Sequence, residues 1–331
     1  MKSIVAVITV VASVIGSVQM LRADGLSIYE IQYTTDPDGA SPQDGNIVDC
    51  LGGIVVHKPL TGRPRLIIQD PDYPLGWGAI QVKDLYGIGV FVDVNVGDWV
   101  SLTNMLVEEN KGTTFLQYIE DNDAGFERMS TGNPLPGPLT LSVGEIAAPV
   151  PGGWDGYEFT EWLVADHDDE KYESMLIKVI DVNVEGLGYG KAYDNYVLQS
   201  NAEPNSACWA SDYMNDDMGE IYHPYVEVGR HFCGVTGILE QYTGEKDGID
   251  YDYYQLLTRN TADFVIEPTA DFDGDCDVDF ADFGLFAQHW LETGCSEPDW
   301  CGGADLGGDQ GDGIVWTADL AEFARYWLAG N

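Results

Sequence analysis

Basic residues are scarce in this chain of 331 residues, where 15 Lys and Arg stand against 56 Asp and Glu and the formal net charge is -41. Binding to nucleic-acid phosphates or to anionic membranes needs clustered Lys and Arg. The composition therefore argues against both partners and favours a cation. Apolar residues make up 44% of the chain, enough for packed cores, and the length predicts two or three domains.

Long apolar runs are missing except at the N-terminus, where Ile4–Val18 follows the positively charged Lys2. A positive start, an apolar run and a small residue such as Ala23 are typical of a secretory signal peptide, which we assign to residues 1–23. The alternative is an uncleaved anchor, because Ile4–Leu21 approaches the length that spans a bilayer. Since no second span follows, we expect a secreted or cell-surface protein with no membrane span after cleavage.

No CxxC pair occurs among the six cysteines, and the five histidines are scattered, so a structural zinc site is not expected. Export makes disulfides the expected use of the thiols. Cys208 and Cys233 fall in one predicted domain and are candidates to pair. Cys295 and Cys301 bracket a linker, and a bridge between them or to Cys276 would hold that linker in place. The connectivity stays open at this point.

A sustained helical period is absent between residues 30 and 265, which consist of short alternating apolar runs separated by Gly, Asp and Pro. About five strands in each of two segments, 24–138 and 139–266, imply small closed barrels, because closure removes exposed strand edges. A proline-rich linker, Asn133–Pro138, ends the first segment. The predicted strands are Asn46–His57, Arg65–Gln69, Trp77–Val82, Gly97–Val107, Thr113–Tyr118, Leu139–Ile146, Tyr172–Val184, Asn195–Gln199, His231–Tyr242 and Tyr253–Leu257.

Short segments rich in glycine and alternating apolar residues recur in both regions. They are Leu26–Gln32, Ser41–Gly45, Gly52–Val55, Ile68–Pro71, Val96–Val100, Tyr172–Ile177, Val235–Glu240 and Leu257–Asp263. These segments resemble the OB-fold domain of secreted bacterial nucleases and related exported proteins. The resemblance implies that one face of each barrel binds an oligonucleotide or an oligosaccharide. Because the acidic surplus opposes a phosphate backbone, carbohydrate is the ligand we expect.

Aromatic side chains of these regions offer faces on which sugar rings could stack. The alternative is that they fill the barrel cores. The candidates are Trp77, Trp99, Trp154, Trp162, Trp209, Tyr251, Tyr253 and Tyr254.

The last segment, residues 267–331, contains an internal repeat. In each copy an acidic loop leads into an amphipathic helix with apolar residues at i, i+3, i+4, i+7 and i+8. Neither helix can bury its apolar face alone, so we expect the two helices to pack against each other. The corresponding positions are Asp275 and Asp312, Val278 and Val315, Asp282 and Asp319, Phe283 and Leu320, Phe286 and Phe323, Ala287 and Ala324, Trp290 and Trp327, and Leu291 and Leu328.

Carboxylates are concentrated in the first of these loops, Asp271–Asp282, at positions 1, 3, 5, 9 and 12. This spacing matches the EF-hand calcium loop, in which position 7 contributes a backbone carbonyl. Carboxylates this crowded repel one another until a divalent cation joins them. A solvated acidic tail is the alternative, but it would lack Val278 and the apolar stripe that follows. The predicted calcium-binding residues are Asp271, Asp273, Asp275, Asp277, Asp279 and Asp282.

Residues 270–331 resemble a type I dockerin, a duplicated calcium-loop-and-helix module that binds a cohesin on another protein. The expected fold class is therefore mainly β, with two tandem OB-like barrels followed by a small all-α, EF-hand-like dockerin. One departure is Cys276, which replaces the usual glycine at position 6 of the first loop. The resemblance implies that positions 10 and 11 of each loop help to select the cohesin, unless they are buried. These partner-binding candidates are Phe280, Ala281, Thr317 and Ala318.

The second loop keeps fewer acids than the first. When the two loops are aligned without gaps, Gly308 falls at position 1 of the second loop. Of the carboxylates found in the first loop, the second then keeps Asp312 and Asp319. Asp305 or Asp309 would serve instead if three extra residues loop out. We therefore predict one calcium ion in the first loop and leave occupancy of the second loop open.

Motifs of common enzymes are absent from the sequence, which has no GxSxG elbow, HExxH helix, P-loop or GxGxxG turn. We therefore expect a secreted, non-catalytic adaptor that binds calcium, docks onto a cohesin-bearing protein and binds carbohydrate through its barrels. The first alternative is an extracellular hydrolase that acts on the glycosidic bonds of a polysaccharide. The second is single-stranded nucleic-acid binding through the OB-like domains, by analogy of fold alone.

Overall fold

The computed structural model describes residues 25–60, 65–84, 91–119, 123–146, 168–189, 195–203, 206–217, 222–246, 249–307 and 311–327. Strands dominate, and they form two closed barrels followed by a module with two helices. The predicted mainly β class is therefore confirmed. The predicted signal peptide lies outside the described residues. Among the residues that are described, no helix is long and apolar enough to cross a membrane.

The first barrel is a five-stranded sheet closed on itself. Its elements are α1 (Ile28–Gln32), β1 (Ile47–His57), β2 (Arg65–Gln69), β3 (Ala79–Asp84), β4 (Trp99–Asn110), β5 (Thr113–Tyr118) and β6 (Gly125–Ser130). The strands follow the order β1-β2-β3-β5-β4, and the pairing of β1 with β4 closes the ring. β3 and β5 run parallel, whereas the other neighbours in the ring are antiparallel. β6 pairs with β4 outside the ring.

The second barrel repeats this arrangement. Its strands are β7 (Leu139–Leu141), β8 (Leu176–Tyr189), β9 (Asn195–Ser200), β10 (Ala207–Ser211), β11 (His231–Lys246), β12 (Ile249–Leu257) and β13 (Phe264–Val265). The order β8-β9-β10-β12-β11 is closed by the pairing of β11 with β8, and β10 and β12 are the parallel pair. Two five-stranded barrels with the same strand order fit the predicted OB-like fold.

Strand β2 is buried on both faces, so its sequence does not alternate. Leu66 and Ile68 belong to the core of the first barrel. Ile67 instead belongs to an apolar cluster with Leu176 and Ile238 of the second barrel. Each barrel therefore covers part of the outer face of the other, and the two pack as one unit.

The C-terminal module packs α2 (Phe280–Gln288) against α3 (Thr317–Tyr326). The rings of Phe286 and Phe323 stack between the helices, with centroids 5.3 Å apart. The valine at position 8 of each acidic loop is fully buried beside them. The two helices pack as the repeat predicts, but of the repeated apolar positions that follow the loops only Phe286 and Phe323 are buried among the described residues, whereas Phe283, Trp290 and Leu291 stay exposed.

Two disulfides join four of the five candidate cysteines. Cys233–Cys276 connects β11 to the first acidic loop, and Cys295–Cys301 closes the linker between the two repeats. The candidate pairing of Cys208 with Cys233 is not formed, because Cys208 lies in the core of the second barrel. Burial raises the pKa of the Cys208 thiol to about 12, so this thiol stays protonated at neutral pH.

Barrel closure depends on Gly52, where φ is +82° and β1 runs close to β4. A Cβ at this position would lie 1.6 Å from the carbonyl oxygen of Val100. We predict that Gly52→Ala lowers the free energy of unfolding by about 4 kcal/mol, because the strand pair must move apart. Chemical denaturation measures this loss.

Gly45→Ala is the matched control, since φ is +78° there and an added Cβ meets nothing within 4 Å. Only the left-handed backbone then opposes alanine, so the expected loss is about 1 kcal/mol. Equal losses in the two variants would show that closeness to β4 does not matter.

Candidate functional site

The acidic loop that precedes α2 brings its predicted calcium ligands together. Four side chains place a carboxylate oxygen within 4.8 Å of one another: Asp271, Asp273, Asp275 and Asp282. Asp277 and Asp279 form a second group of this kind with Asp282. The loop therefore offers a concentrated set of oxygen ligands, the donor type that Ca2+ takes.

Backbone N–H groups hold the first and last carboxylates of this loop in place. Asp271 accepts hydrogen bonds from the amides of Gly274 and Cys276, both at 2.8 Å. Asp282 accepts one from the amide of Asp279 at 2.8 Å. Cys276 itself has φ 73°, so it makes the turn for which position 6 usually carries glycine. The loop therefore makes its sharp turn at position 6 although Cys276 replaces that glycine.

Two carboxyl groups of the loop have a raised pKa, in part because neighbouring carboxylates repel their charge. Loss of hydration, followed by the negative charges of Asp282 and Asp275, raises the pKa of Asp273. Loss of hydration and nearby carboxylates raise the pKa of Asp277 in the same way. A dication among these groups removes the repulsion, and a set of oxygen atoms suits Ca2+ better than Zn2+, which prefers nitrogen and sulfur.

In the second acidic loop, Asp305 has the hydrogen-bonding role that Asp271 has in the first, whereas Gly308, position 1 of the alignment without gaps, lies outside the described residues. Asp305 accepts hydrogen bonds from the amides of Asp312 at 3.1 Å and Gly313 at 2.8 Å. Asp319 closes the loop by accepting from the amide at position 9, at 2.7 Å. The loop is therefore three residues longer than the first, as the alternative with extra residues requires.

A tryptophan replaces one aspartate of this second loop. Trp316 stands at position 9, and its indole N–H donates to Asp312 at 2.9 Å. Asp309 lies outside the described residues. Within the described part of the chain, Asp305, Asp312 and Asp319 do not form a ligand cluster of the kind seen in the first loop.

The predicted partner-binding residues lie at the surface of the helix pair. Phe280 is 77% exposed, although its ring meets that of Trp327 edge-on with centroids 5.0 Å apart. Ala281 and Thr317 are exposed, and Ala318 is half-buried. An apolar groove of ≈ 190 Å³ adjoins Phe280; its lining also includes Phe283, Leu320, Phe323, Ala324 and Trp327.

A separate cleft of ≈ 330 Å³ opens between the two barrels, lined by β2, β3 and β5 on one side and by β11 and β12 on the other. It contains Arg65, Lys83 and Lys111, three of the 15 basic residues of the chain. Polar and aromatic side chains complete the lining, among them Asn110, Phe115, Tyr213, Glu240, Gln241, Tyr242 and Gln255. The cleft therefore concentrates positive charge in an acidic protein.

A buried carboxylate on β11, that of Glu240, anchors this cleft across the barrel boundary. Gln81 donates to its Oε1 at 3.3 Å and Gln255 donates to its Oε2 at 2.9 Å. Arg65 Nη1 lies 3.9 Å from the same Oε1 and donates to the Gln81 amide oxygen at 3.0 Å. These contacts compensate for the burial of the charge and fix how the barrels meet.

Each cation of the cleft lies over an aromatic ring. The cation-to-centroid distances are 5.5 Å for Arg65 over Tyr213, 2.8 Å for Lys83 over Phe115 and 5.0 Å for Lys111 over Tyr242. Contacts of this kind attract and orient a cation. The charges are thus held in place at the cleft.

The sequence did not predict this cleft, because its residues come from distant strands of two barrels. Three of the rings proposed for sugar stacking are buried instead: Trp209, Tyr253 and Tyr254. Trp154 and Trp162 lie outside the described residues. The scarcity of Lys and Arg is the one signal of the cleft in the sequence: Arg65 opens one predicted strand, and Lys83 directly follows another.

Two glutamates, Glu170 and Glu173, are buried next to Glu109 where the barrels meet. Glu173 accepts a hydrogen bond from the side-chain amide of Gln32 in the first barrel, at 3.0 Å. Burial, and then repulsion by Glu170 and Glu109, raises the pKa of Glu173. Burial raises the pKa of Glu170 to about 8, against the lowering effect of a hydrogen bond from Tyr254. This boundary therefore favours protonated carboxyl groups.

We predict that the paired barrels lose stability as the pH rises from about 4.5 to about 8. The folded state favours the neutral Glu170 carboxyl, whereas the unfolded chain ionises it from about pH 4.5, so unfolding becomes easier across this window. Glu170→Gln removes this titration and reduces the decline by a few kcal/mol. Denaturation at a series of pH values, at constant calcium, measures the difference.

Glu227→Gln is the control for this prediction, because the Glu227 side chain is 69% exposed. Its pH dependence should follow that of the wild type. If Glu170→Gln also follows the wild type, burial of Glu170 does not govern the stability of the boundary.

Comparison with known proteins adds little to this description. No family model matches the chain, and no curated protein matches it. One of the solved structures that match is the crystal structure of fission yeast Pot1 and ssDNA. The match covers 66% of the present chain and 81% of the Pot1 chain, with 11% sequence identity and a TM-score of 0.27. Values this low carry no conclusion about function, and the OB-like description of the barrels rests on their strand order and pairing.

Proposed function

We propose that this chain is a secreted adaptor that binds calcium in its C-terminal module, docks through that module onto a cohesin-bearing protein and presents the paired barrels as its ligand-binding part. The observation that carries the proposal is the convergence of four aspartates within one loop, Asp271–Asp282. The signal-like residues 1–23 and the dockerin-like repeat of residues 270–331 support it.

Calcium supplies the positive charge that balances the carboxylates of the first loop. The proposed ligands are the carboxylates of Asp271, Asp273, Asp275 and Asp282, with the backbone carbonyl of Asp277 at position 7. Because the ion joins groups that otherwise repel one another, its binding and the folding of the loop are coupled. Val278 links the loop to the helix pair, since it is fully buried in the core of the module.

A single ion is proposed, because Trp316 replaces the position-9 aspartate of the second loop and its indole N–H donates to Asp312. The indole of Trp316 and the amides of the loop donate to Asp312, Asp305 and Asp319. The amide hydrogen bonds to the first and last carboxylates occur in both loops, so the indole of Trp316 is what distinguishes the second loop. The second copy therefore serves as a packing partner for the first.

Docking is proposed at the apolar groove beside Phe280. Large apolar side chains that stay exposed next to one another are typical of protein-binding surfaces. Phe280 and Phe283 of α2 are both exposed, and Phe280 and Ala281 occupy the loop positions that help to select a cohesin in the dockerins that this segment resembles.

We predict that the full chain binds Ca2+ with a Kd of about 10 µM or tighter, and that Asp271→Asn weakens binding by at least about tenfold. The amide keeps the shape of the side chain but removes the charge. Isothermal titration of the EDTA-treated and dialysed protein measures both values. Asp299→Asn, in the exposed linker outside the loop, is the control and should bind as the wild type does.

Chelation gives the structural readout of the same prediction. With EDTA present, limited proteolysis should cut within residues 267–327 and leave the barrels intact, because the loop loses the ion on which its folding depends. Absence of heat in the titration, or equal protection with and without calcium, would contradict the calcium part of the proposal.

We predict that Phe280→Ser lowers affinity for the cohesin that the wild type binds by about 30-fold or more, the loss expected for an exposed aromatic anchor. Calcium affinity should not change, because the Phe280 side chain contributes no ligand atom. Surface plasmon resonance against a panel of purified cohesin modules, in calcium and in EDTA, makes the measurement.

Gln288→Ser provides the comparison, since Gln288 is exposed on the same helix but lies outside the groove. It should bind as the wild type does. Failure of the wild type to bind any cohesin in calcium would refute the docking part, and so would equal binding by Phe280→Ser.

A further inference from the structure

We propose that the sulfur atoms of Cys233 and Cys276, once their disulfide is reduced, form a zinc site together with the imidazole of His231. This inference goes beyond the adaptor role, and it requires neither an occupied calcium loop nor docking. The set of donor atoms, the carboxylates on both sides of the imidazole and an open pocket beside it carry the inference.

The donor atoms come together where the second barrel meets the first acidic loop. His231 and Cys233 lie at the start of β11, and the disulfide brings Cys276 to them from a position 43 residues further along the chain than Cys233. The two sulfur atoms and an imidazole nitrogen lie within 4.8 Å of one another, and Nε2 of His231 is 3.9 Å from Sγ of Cys276. Sulfur and imidazole nitrogen are donors that Zn2+ prefers, whereas Ca2+ takes oxygen.

Carboxylates flank both nitrogen atoms of the His231 ring. Oδ1 of Asp181 lies 3.1 Å from Nε2, and Oε2 of Glu267 lies 3.8 Å from Nδ1. An ion bound to Nε2 therefore has Asp181 within reach as a fourth ligand, while Glu267 orients the ring from the opposite nitrogen, as carboxylates commonly do behind a metal-bound histidine. The side-chain amide of Asn201 donates to Oδ1 of Asp181 at 2.8 Å and holds that carboxylate in place.

A pocket of ≈ 460 Å³ gives solvent access to this site. Its lining includes Arg230, His231, Ile266 and Glu267. The side chain of His231 is 19% exposed and that of Asp181 is 41% exposed. An ion therefore reaches the imidazole from solvent without unfolding of the barrel.

Zinc binding at this place is a two-electron reduction followed by coordination. The reductant is a dithiol, which becomes a disulfide, or a phosphine, which takes oxygen from water and becomes its oxide. It supplies the two electrons that break the S–S bond, and two protons are released to solvent as both sulfur atoms bind Zn2+ as thiolates. A zinc bridge between the same two cysteines then replaces the covalent bond, so the first acidic loop stays joined to β11 after reduction.

Cobalt absorption spectroscopy on the full chain tests the proposal. The protein is reduced with a phosphine under argon, kept in excess Ca2+, and titrated first with Co2+ and then with Zn2+. Thiolate ligands give Co2+ an intense charge-transfer absorption that oxygen ligands do not give, so the acidic loops do not contribute to this signal. We expect one thiolate-bound Co2+ per chain, held about 100-fold or more tightly than any Co2+ in the oxidised protein, and its displacement by Zn2+.

Variants assign the absorption to these residues. Cys233→Ser should abolish it because one thiolate is lost, and His231→Gln, which keeps both cysteines, should weaken Co2+ binding by about tenfold or more. Two controls should bind as the wild type does. Cys301→Ser removes a thiol of the other disulfide, and Arg230→Gln removes a cation from the lining of the same pocket.

Two results with the wild type would overturn the proposal: no thiolate absorption after reduction, or equal Co2+ binding by the reduced and the oxidised protein. Full affinity in His231→Gln would overturn the assignment to this site. So would a loss in Cys301→Ser equal to that in Cys233→Ser, since the metal would then lie at other thiols.

Discussion

A carboxylate buried between two barrels is the constraint on which this structure depends. Glu240 leaves water only because Gln81, Gln255 and Arg65 surround it, and these three side chains come from three different strands. Loss of one of them would leave a charge uncompensated in the protein interior, which costs much more than replacing the whole set with apolar groups. The apolar cluster around Ile67 contributes buried area, whereas the polar network sets the alignment of the barrels. The cleft is the open end of the same boundary.

The chain accommodates its acidic surplus in three physically different ways. Where the barrels meet, burial keeps Glu170 and Glu173 close to their neutral forms. In the second barrel, Asp263 is buried against Arg259 and receives several of its hydrogen bonds. In the loop before α2 the carboxylates cluster without a basic partner among them, which is the arrangement that a cation resolves. The first two arrangements lie in the barrels, and the third belongs to the C-terminal module.

The sequence predicted those features that depend on residues close together in the chain. Strands such as Arg65–Gln69 and Thr113–Tyr118 were predicted with their observed bounds, and the aspartates of the first loop lie close together because a loop of twelve residues places them so. β10 was missed because its five buried residues neither alternate nor include a β-branched side chain, whereas the equally buried β2 contains two isoleucines. The cleft was not predictable, because only the packing of two barrels brings Lys83 near Gln241. The hydrogen bonds that Asp305 accepts from the second loop could not be read from an alignment either.

Strand β11 of the second barrel is connected both to the C-terminal module and to the first barrel. Cys233 near its beginning is bonded to Cys276 in the loop before α2, and Glu240 and Gln241 further along face the other barrel. A covalent tether in addition to the chain itself therefore joins the helix pair to a strand that runs into the cleft. Tension applied to the helices therefore enters the barrel pair through β11, which is paired with β8 and β13 at this point, as well as through the peptide chain. The direction in which the cleft opens is then coupled to the direction in which the molecule is held.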